Sequence, residues 1–562
     1  MINAVFLNLI PRNLLLKSRQ VGVRVALGIL PLGCCMALGL GLGKRAESAE
    51  RVVINYGVLE FSVSVNSLET YANTGAIEGE LASYADFLTP EQLEQFQVGL
   101  NTSADFSHLA IAQFLYSFQG EKILERVARV VETDARQPGF YAIRSALILA
   151  AADPESGLTP LNILKKFPTN TLRVNSGEGF EIIKKLSNVV QQNAQAIAAV
   201  EQESFRERRE ITTQIPQVRD LNLLLPGKYA YQQQTLKMQD RSRDRTFPVE
   251  LYLPQTNDRQ LLPLVVISHG LGSDLTTFAY FAKHLASQGF AVAVPEHPGS
   301  SSRQIEALLN GLDSNVTPPE ELIDRPLDIK FLLDRLAAQF GNKIDTNNVG
   351  MIGQSFGGYT TLALAGAELN WTTLERDCPE IDNSWNLSWL LQCLALQIPS
   401  TLAETNLKDE RIKAAIAINP LVSTVFGEAS LSEIDIPVML ISGSADPITP
   451  ALPEQITPFT WLTTSEKYLA LLKGGTHFST LNESAGSIPV PEQAIGPDPK
   501  IAQNYVKQLG LAFFGRYIAQ QSFYNDYLNA QYGTIISKEK LPLKLVRSLD
   551  PDFLELNSSQ LK

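Results

Sequence analysis

Ser355 lies in Gly353-Gln354-Ser355-Phe356-Gly357, a G-x-S-x-G sequence where an apolar strand at 349–352 meets a helix starting near Phe356. A serine on so sharp a turn is held at strained backbone angles, its hydroxyl above the sheet and the next amide aimed at a developing oxyanion. Glycines at 353 and 357 let strand and helix approach closely, and Gly358 extends the small-residue run. A serine hydroxyl is a weak nucleophile at neutral pH and needs a base beside it. Only five histidines are available. His477, in Gly474-Gly475-Thr476-His477-Phe478, directly follows a short apolar strand at 468–472 and is the expected base. The acid should follow a strand between the two. The strand at 438–442 runs into Gly443-Ser444-Ala445-Asp446-Pro447, whereas the one before it, 412–418, ends in Asn419-Pro420 and offers no carboxylate. Asp446 is the expected acid, with capping of the helix after Pro450 as its structural alternative. A buried carboxylate there would fix the imidazole tautomer and stabilise the imidazolium. The order serine, acid, histidine suits acyl transfer from a strand–turn–helix nucleophile.

His269-Gly270-Leu271-Gly272-Ser273 follows the first long apolar strand, 262–268. A loop there supplies a second oxyanion amide, so the backbone N–H groups of Leu271 and Phe356 are the expected donors. His269 reads as a hydrogen-bonding brace for this loop, with Gly270, Gly353 and Gly357 as supporting positions, because His477 already fills the proton-carrying role. His284 falls in a helix at the surface or in the core, and His297 ends a strand. His108 sits among apolar residues and reads as a structural group.

From about 228, strands alternate with helices, the pattern of a mainly parallel sheet covered on both faces. Stretches 229–238 and 246–253 read as a leading antiparallel pair, and 290–295 as a further core strand. Helices are expected at 276–287, 325–339 and 502–520. Residues from about 367 to 410 are inserted after the nucleophile helix and carry Trp371, Trp385, Trp389, Leu390, Leu391, Cys378 and Cys393. Residues 300–325 form a second long loop, and 521–562 a tail anchored by Phe523, Tyr524, Tyr527 and Tyr532. Upstream, 51–210 reads as mainly α-helical. Asn66-Ser67-Leu68-Glu69 resembles a capping box for a helix stopping at Gly75, and Thr89-Pro90-Glu91-Gln92 opens another. Helical spacing covers 108–133 and 141–152, a short strand fits 169–175, and a long amphipathic helix from 180 to about 211 bridges to the second domain.

A chain of 562 residues is too long for one ordinary core. Its net charge of −12 becomes −17 without residues 1–49, which hold six of the 47 basic and one of the 59 acidic side chains. That balance argues against a nucleic-acid partner, which needs clustered Lys and Arg. Residues 1–49 differ in kind. Arg12, Lys17, Arg19 and Arg24 precede an apolar run at 25–43, and small and charged residues follow to Ala49. The pattern is that of an export signal cleaved after Ala49, with an uncleaved membrane anchor as the rival. The expected location is thus periplasmic or extracellular. The Gly-rich stretch at 39–44 lacks the spacing and context of a phosphate loop. Two of the four cysteines fall in the leading segment, and the remaining pair, Cys378 and Cys393, is expected to form a disulfide. No HExxH, CxxC or histidine cluster suggests a metal, and no cofactor is implied.

Residues 228–520 resemble the α/β-hydrolases, and among them the dienelactone-hydrolase and platelet-activating-factor-acetylhydrolase-like branch. The matching stretches are HGLGS at 269–273, PEHPGS at 295–300, RPLDIKFLLD at 325–334, GQSFGG at 353–358, GSADPITP at 443–450 and GGTHF at 474–478. Residues 51–205 resemble a helical domain of unknown function that precedes such hydrolases in cyanobacterial proteins. The resemblance implies a doubly wound, mostly parallel sheet with the insertion as a lid over an acyl pocket; the alternative is that its tryptophans and leucines serve to pack the lid onto the core. It also implies a serine esterase or lipase acting on a hydrophobic ester, such as a lipid or phospholipid, with possible membrane-surface association. The alternatives are an acyltransferase or small-ester esterase with the same triad, or a catalytically silent cell-envelope scaffold.

Overall fold

A computed structural model describes residues 48–56, 59–211, 222–257, 260–482 and 492–550. The expected export signal, except Ser48 and Ala49, and the end of the expected tail (551–562) lie outside the described residues. The chain divides into two compact units, 1–188 with 306–316, and 189–305 with 317–562. The boundary falls inside the helix Ser176–Glu210, so the second unit starts well before 228. Part of the expected second loop, 306–316, clusters with the first unit. Among the described residues no helix is long and apolar enough to cross a membrane.

The first unit is rich in helices but also holds a small sheet, of which only the strand near 169–175 was expected. Strands β1 (Arg51–Tyr56), β2 (Leu59–Ser64), β3 (Val131–Glu132) and β4 (Thr171–Asn175) form a sheet in the order β2-β1-β4-β3. β1 pairs antiparallel with β2 and parallel with β4. Val52, Ile54, Leu172 and Val174 bury one face of this sheet in a core with Leu68, Tyr71, Phe96 and Phe167. Ala49, the expected cleavage point, is buried in the same core. The expected helix 108–133 is two helices, His108–Leu115 and Phe118–Val130. Ser117 breaks the run because its hydroxyl caps the second helix, accepting from the Gly120 amide at 3.2 Å. Likewise Ser64, rather than Asn66, caps the helix Val65–Thr74, while Thr89 and Gln92 do make a capping box. His108 is exposed rather than set among apolar neighbours.

In the second unit, β5 (Tyr231–Asp240), β6 (Arg245–Pro254), β7 (Leu262–Ser268), β8 (Ala291–Pro295), β9 (Ile344–Gln354), β10 (Ile412–Ile418), β11 (Val438–Gly443), β12 (Lys467–Leu472) and β13 (Leu543–Val546) form one sheet. Its order is β13-β12-β11-β10-β9-β7-β8-β6-β5. The strands from β12 to β8 run parallel, and the two ends are antiparallel. This is the α/β-hydrolase fold: continuous apolar strands such as β7 and β10 are buried on both faces, as helices packed on each side require. The chain goes from β7 outward to β8, then crosses back to place β9 on the other side of β7. Loops leaving β7 and β9 therefore diverge, and open α/β sheets form their sites in that crevice. Register aligns the strand ends, with Ser268 opposite Gly353, Ile418 opposite Gln354 and Gly443 opposite Leu472. The expected tail is part of this unit: Tyr524, Tyr527 and Tyr532 are buried in its core and β13 completes the sheet, whereas Phe523 is exposed.

Candidate active site

Ser355 follows the central strand β9 at φ 56° and ψ −118°, a conformation unfavourable for any residue with a Cβ. Its amide donates to the Ile418 carbonyl at 2.8 Å, which fixes the turn against β10. Gly357 touches the Ser268 carbonyl and Gly270 touches the Gln354 side chain, so a Cβ at either position would clash. These contacts bring the loop after β7 against the turn after β9. Ser355, Asp446 and His477 are all nearly buried.

Asp446 lies on the loop after β11 and His477 on the loop after β12. His477 Nδ1 is 2.6 Å from Asp446 Oδ2. The carboxylate also accepts from the amides of Ile448 at 2.7 Å and Thr449 at 2.9 Å and from the Thr449 hydroxyl at 2.8 Å. Four donors hold its orientation and leave the ring only one productive tautomer, with Nε2 free to accept. Gln354 Nε2 donates to the His477 carbonyl at 3.1 Å, tying the histidine loop to the residue before the expected nucleophile. No hydrogen bond joins the Ser355 hydroxyl to His477 among the described residues; such contacts commonly tighten only when substrate binds.

The expected oxyanion amides, Leu271 and Phe356, take no acceptor among the described residues, although the next amide, Gly272, donates to Ser300 O at 2.8 Å. His269 Nδ1 donates to the Gly270 carbonyl at 2.8 Å, and its Nε2 accepts from the His297 amide at 3.0 Å. The Gly270–Leu271 peptide is trans, so holding its carbonyl on one side turns the Leu271 N–H to the other. The brace expected of His269 thus acts on the peptide that carries the candidate donor. Burial, reinforced by Arg325 and His297, holds His269 well below the usual histidine range, so it stays neutral.

Behind this loop lies a buried array that sequence reasoning missed. Arg325 is fully buried and donates to Thr360 Oγ1 at 3.0 Å, Ser300 Oγ at 2.8 Å, Ser268 Oγ at 3.1 Å and the His269 carbonyl. Its guanidinium lies 4.4 Å from the centre of the Phe356 ring. Burial pushes it down to about 9, with Glu321 and Asp328 opposing. Ser268 in turn bonds His297 Nε2 at 3.0 Å, and His297 Nδ1 reaches Asp328 at 3.2 Å. Asp328 is held bidentate by Arg245 at 2.9 and 2.7 Å and by Arg243 at 2.9 Å. The signal was present: Arg325 and Asp328 occupy the same helical stripe as Ile329, Leu332 and Leu336, where charges are out of place unless paired.

The insertion is anchored by another buried group absent from the expectations. The Glu454 carboxylate accepts from Ser388 Oγ and Gln392 Nε2 at 3.0 Å, from Asn386, from the Val422 and Ser423 amides at 2.6 and 3.0 Å, and from the Ser423 hydroxyl. Cys378 and Cys393 form the expected disulfide. Residues 386–393 are therefore fixed at both ends onto the turn after β10. Trp371, Trp385 and Trp389 are half-buried rather than enclosed.

Comparison with known families agrees with the fold. Residues 48–175 match the family model described as an alpha/beta hydrolase of unknown function, and residues 243–322 match platelet-activating factor acetylhydrolase, isoform II. The first match covers the unit with the four-stranded sheet. The second runs from β6 through the His269 loop and stops before Ser355. Asp446 and His477 also lie outside both matches, so the expected triad is supported by geometry alone.

Proposed function

We propose that this chain, an α/β-fold hydrolase similar over two stretches to two hydrolase-related family models, cleaves carboxylic esters through an acyl-enzyme on Ser355. The observation that carries the reading is the 2.6 Å Asp446–His477 contact on loops level with a serine at φ 56° and two unengaged amides. His477 Nε2 takes the hydroxyl proton as Ser355 Oγ attacks the ester carbonyl. Asp446 stabilises the resulting imidazolium, and the Leu271 and Phe356 amides receive the oxyanion. Collapse expels the alcohol, protonated by His477. Water then attacks the acyl-enzyme by the same proton route and releases the acid.

The substrate proposed is a lipid or phospholipid ester. The match to platelet-activating factor acetylhydrolase and the tryptophans of the insertion support it. A disulfide within that insertion supports folding in an oxidising compartment, in keeping with export. A fluorophosphonate probe tests the nucleophile: wild-type protein should label and Ser355→Ala should not. Equal labelling of both would remove Ser355 from the mechanism. A series of phospholipids of graded sn-2 chain length, beside soluble p-nitrophenyl esters, tests the substrate class.

A further inference from the structure

The second half of the helix Ser176–Glu210 belongs to the same compact unit as the triad. Ala196, Ala199, Val200 and Ser204 are buried along one stripe of it. Asn193, on that stripe, makes two long-range hydrogen bonds. Its Nδ2 donates to the Ser444 carbonyl at 3.3 Å, and its Oδ1 accepts from the Leu452 amide at 3.0 Å. Ser444 and Leu452 bracket the loop that carries Asp446 and Thr449. One side-chain amide thus closes that loop from both ends, through backbone groups that no substitution within the loop could replace.

The contacts continue down the helix. Glu201 meets Lys473 Nζ at 3.1 Å, four residues before His477. Glu207 Oε1 accepts from the amides of Arg547 at 2.7 Å and Ser548 at 2.9 Å, just past β13. The exposed Glu201 pair is weak by itself. The Glu207 contacts are half-buried, and they fix the helix against the far edge of the sheet.

We propose that Asn193 is a positioning residue for the catalytic acid, and that this half of the helix is a strap holding the loops of Asp446 and His477 in register. The proposal rests on the serine-hydrolase reading above. Misplacing a catalytic group by about an ångström can lower a rate by as much as about 100-fold. Losing two hydrogen bonds of ordinary strength frees the loop only in part, so about a tenfold fall is expected. Because Asn193 touches no substrate, KM should hold.

The experiment uses the full chain with p-nitrophenyl acetate and a fluorophosphonate. Asn193→Ala should lower kcat and the labelling rate about tenfold with KM within about twofold. Met238→Ala, buried on β5 away from the strap and the site, should lose at least as much thermal stability while keeping kcat. Wild-type kcat in Asn193→Ala would overturn the strap, as would equal falls in kcat for the two variants at matched stability. If the wild type and Ser355→Ala label alike, the serine-hydrolase reading itself fails and the strap with it.

Discussion

Replacing His269 by alanine separates the brace from the proton carrier. In the folded protein His269 gives one hydrogen bond to the Gly270 carbonyl at 2.8 Å and takes one from the His297 amide at 3.0 Å. Removing the ring leaves a buried N–H without a partner and a small void. Together these should cost about 2–4 kcal/mol of stability. The kinetic effect has a separate origin. The Gly270 carbonyl would keep only the Ser273 amide, at 3.2 Å, so the peptide carrying the Leu271 N–H gains freedom to turn. Complete loss of an oxyanion donor corresponds to about 2.7–4 kcal/mol of transition-state stabilisation. Partial retention by Ser273 should bring the loss to about 2 kcal/mol, a fall of about 30-fold in kcat. The assay is steady-state hydrolysis of p-nitrophenyl acetate well below the melting temperature, with folding checked by circular dichroism. His269→Asn, which offers an amide donor near the Nδ1 position, should recover part of the rate. A folded His269→Ala enzyme with kcat within about threefold of wild type would refute the role of the Gly270–Leu271 peptide, since losing a donor costs far more.

Arg325→Met keeps the side-chain volume but leaves three hydroxyls and the His269 carbonyl without their donor, and Glu321 and Asp328 with one cation fewer. Urea unfolding should show a loss of about 3–5 kcal/mol, and a loss below about 1 kcal/mol would contradict the buried array. Burial, then Lys507, hold His284 down at about 4, the Leu223 backbone opposing. Below the ordinary histidine value the unfolded ring binds a proton that the folded ring refuses. Stability from this group is therefore whole above pH about 6.5 and lost as pH falls toward about 4, by about 3 kcal/mol in all. His284→Phe should flatten that limb of the stability–pH curve; an unchanged curve would show that another group titrates. Replacing Cys378 and Cys393 by serine opens a loop with a sequence separation of 15, and should cost up to about 3 kcal/mol. Because Glu454 holds residues 386–392 independently, kcat should survive in the folded double variant; its loss would show that the disulfide alone shapes the site.

The parallel core was legible because buried strands announce themselves. Expectations at 262–268 and 412–418 coincide with β7 and β10, where largely apolar runs end at His269 and Asn419. The juxtaposition of Asp446 and His477 was legible for a related reason: short apolar strands feed loops rich in glycine and serine, and parallel register brings their ends level. Glu454 and Asn193, unlike Arg325 and Asp328 on their apolar stripe, left no periodic trace. Glu454 bonds residues 31 to 68 positions away, and Asn193 reaches across more than 250. In the first unit, β1 and β2 were hidden beside an expected cleavage point, and Ser117 was overlooked as a cap inside an otherwise helical stretch. The tail was read for its aromatics, not for the four residues of β13, too few for alternation to register.

That short strand has a consequence for how the protein is made. β13 pairs with β12 from Leu469 opposite Val546 to Leu472 opposite Leu543, and the Lys473 amide donates to Pro542 at 2.8 Å. During synthesis Ser355, Asp446 and His477 all emerge before this partner does. In the interval β12 would present a row of unsatisfied amides and carbonyls beside Tyr468–Leu472, all buried in the finished fold. Open edges of this kind recruit strands from other chains. A nascent chain that has passed Tyr517 but not Val546 thus carries every residue of the proposed triad on a sheet prone to pair with its neighbours. Recombinant versions trimmed behind the helix Pro499–Tyr517 should therefore aggregate, although Ser355, Asp446 and His477 are all present.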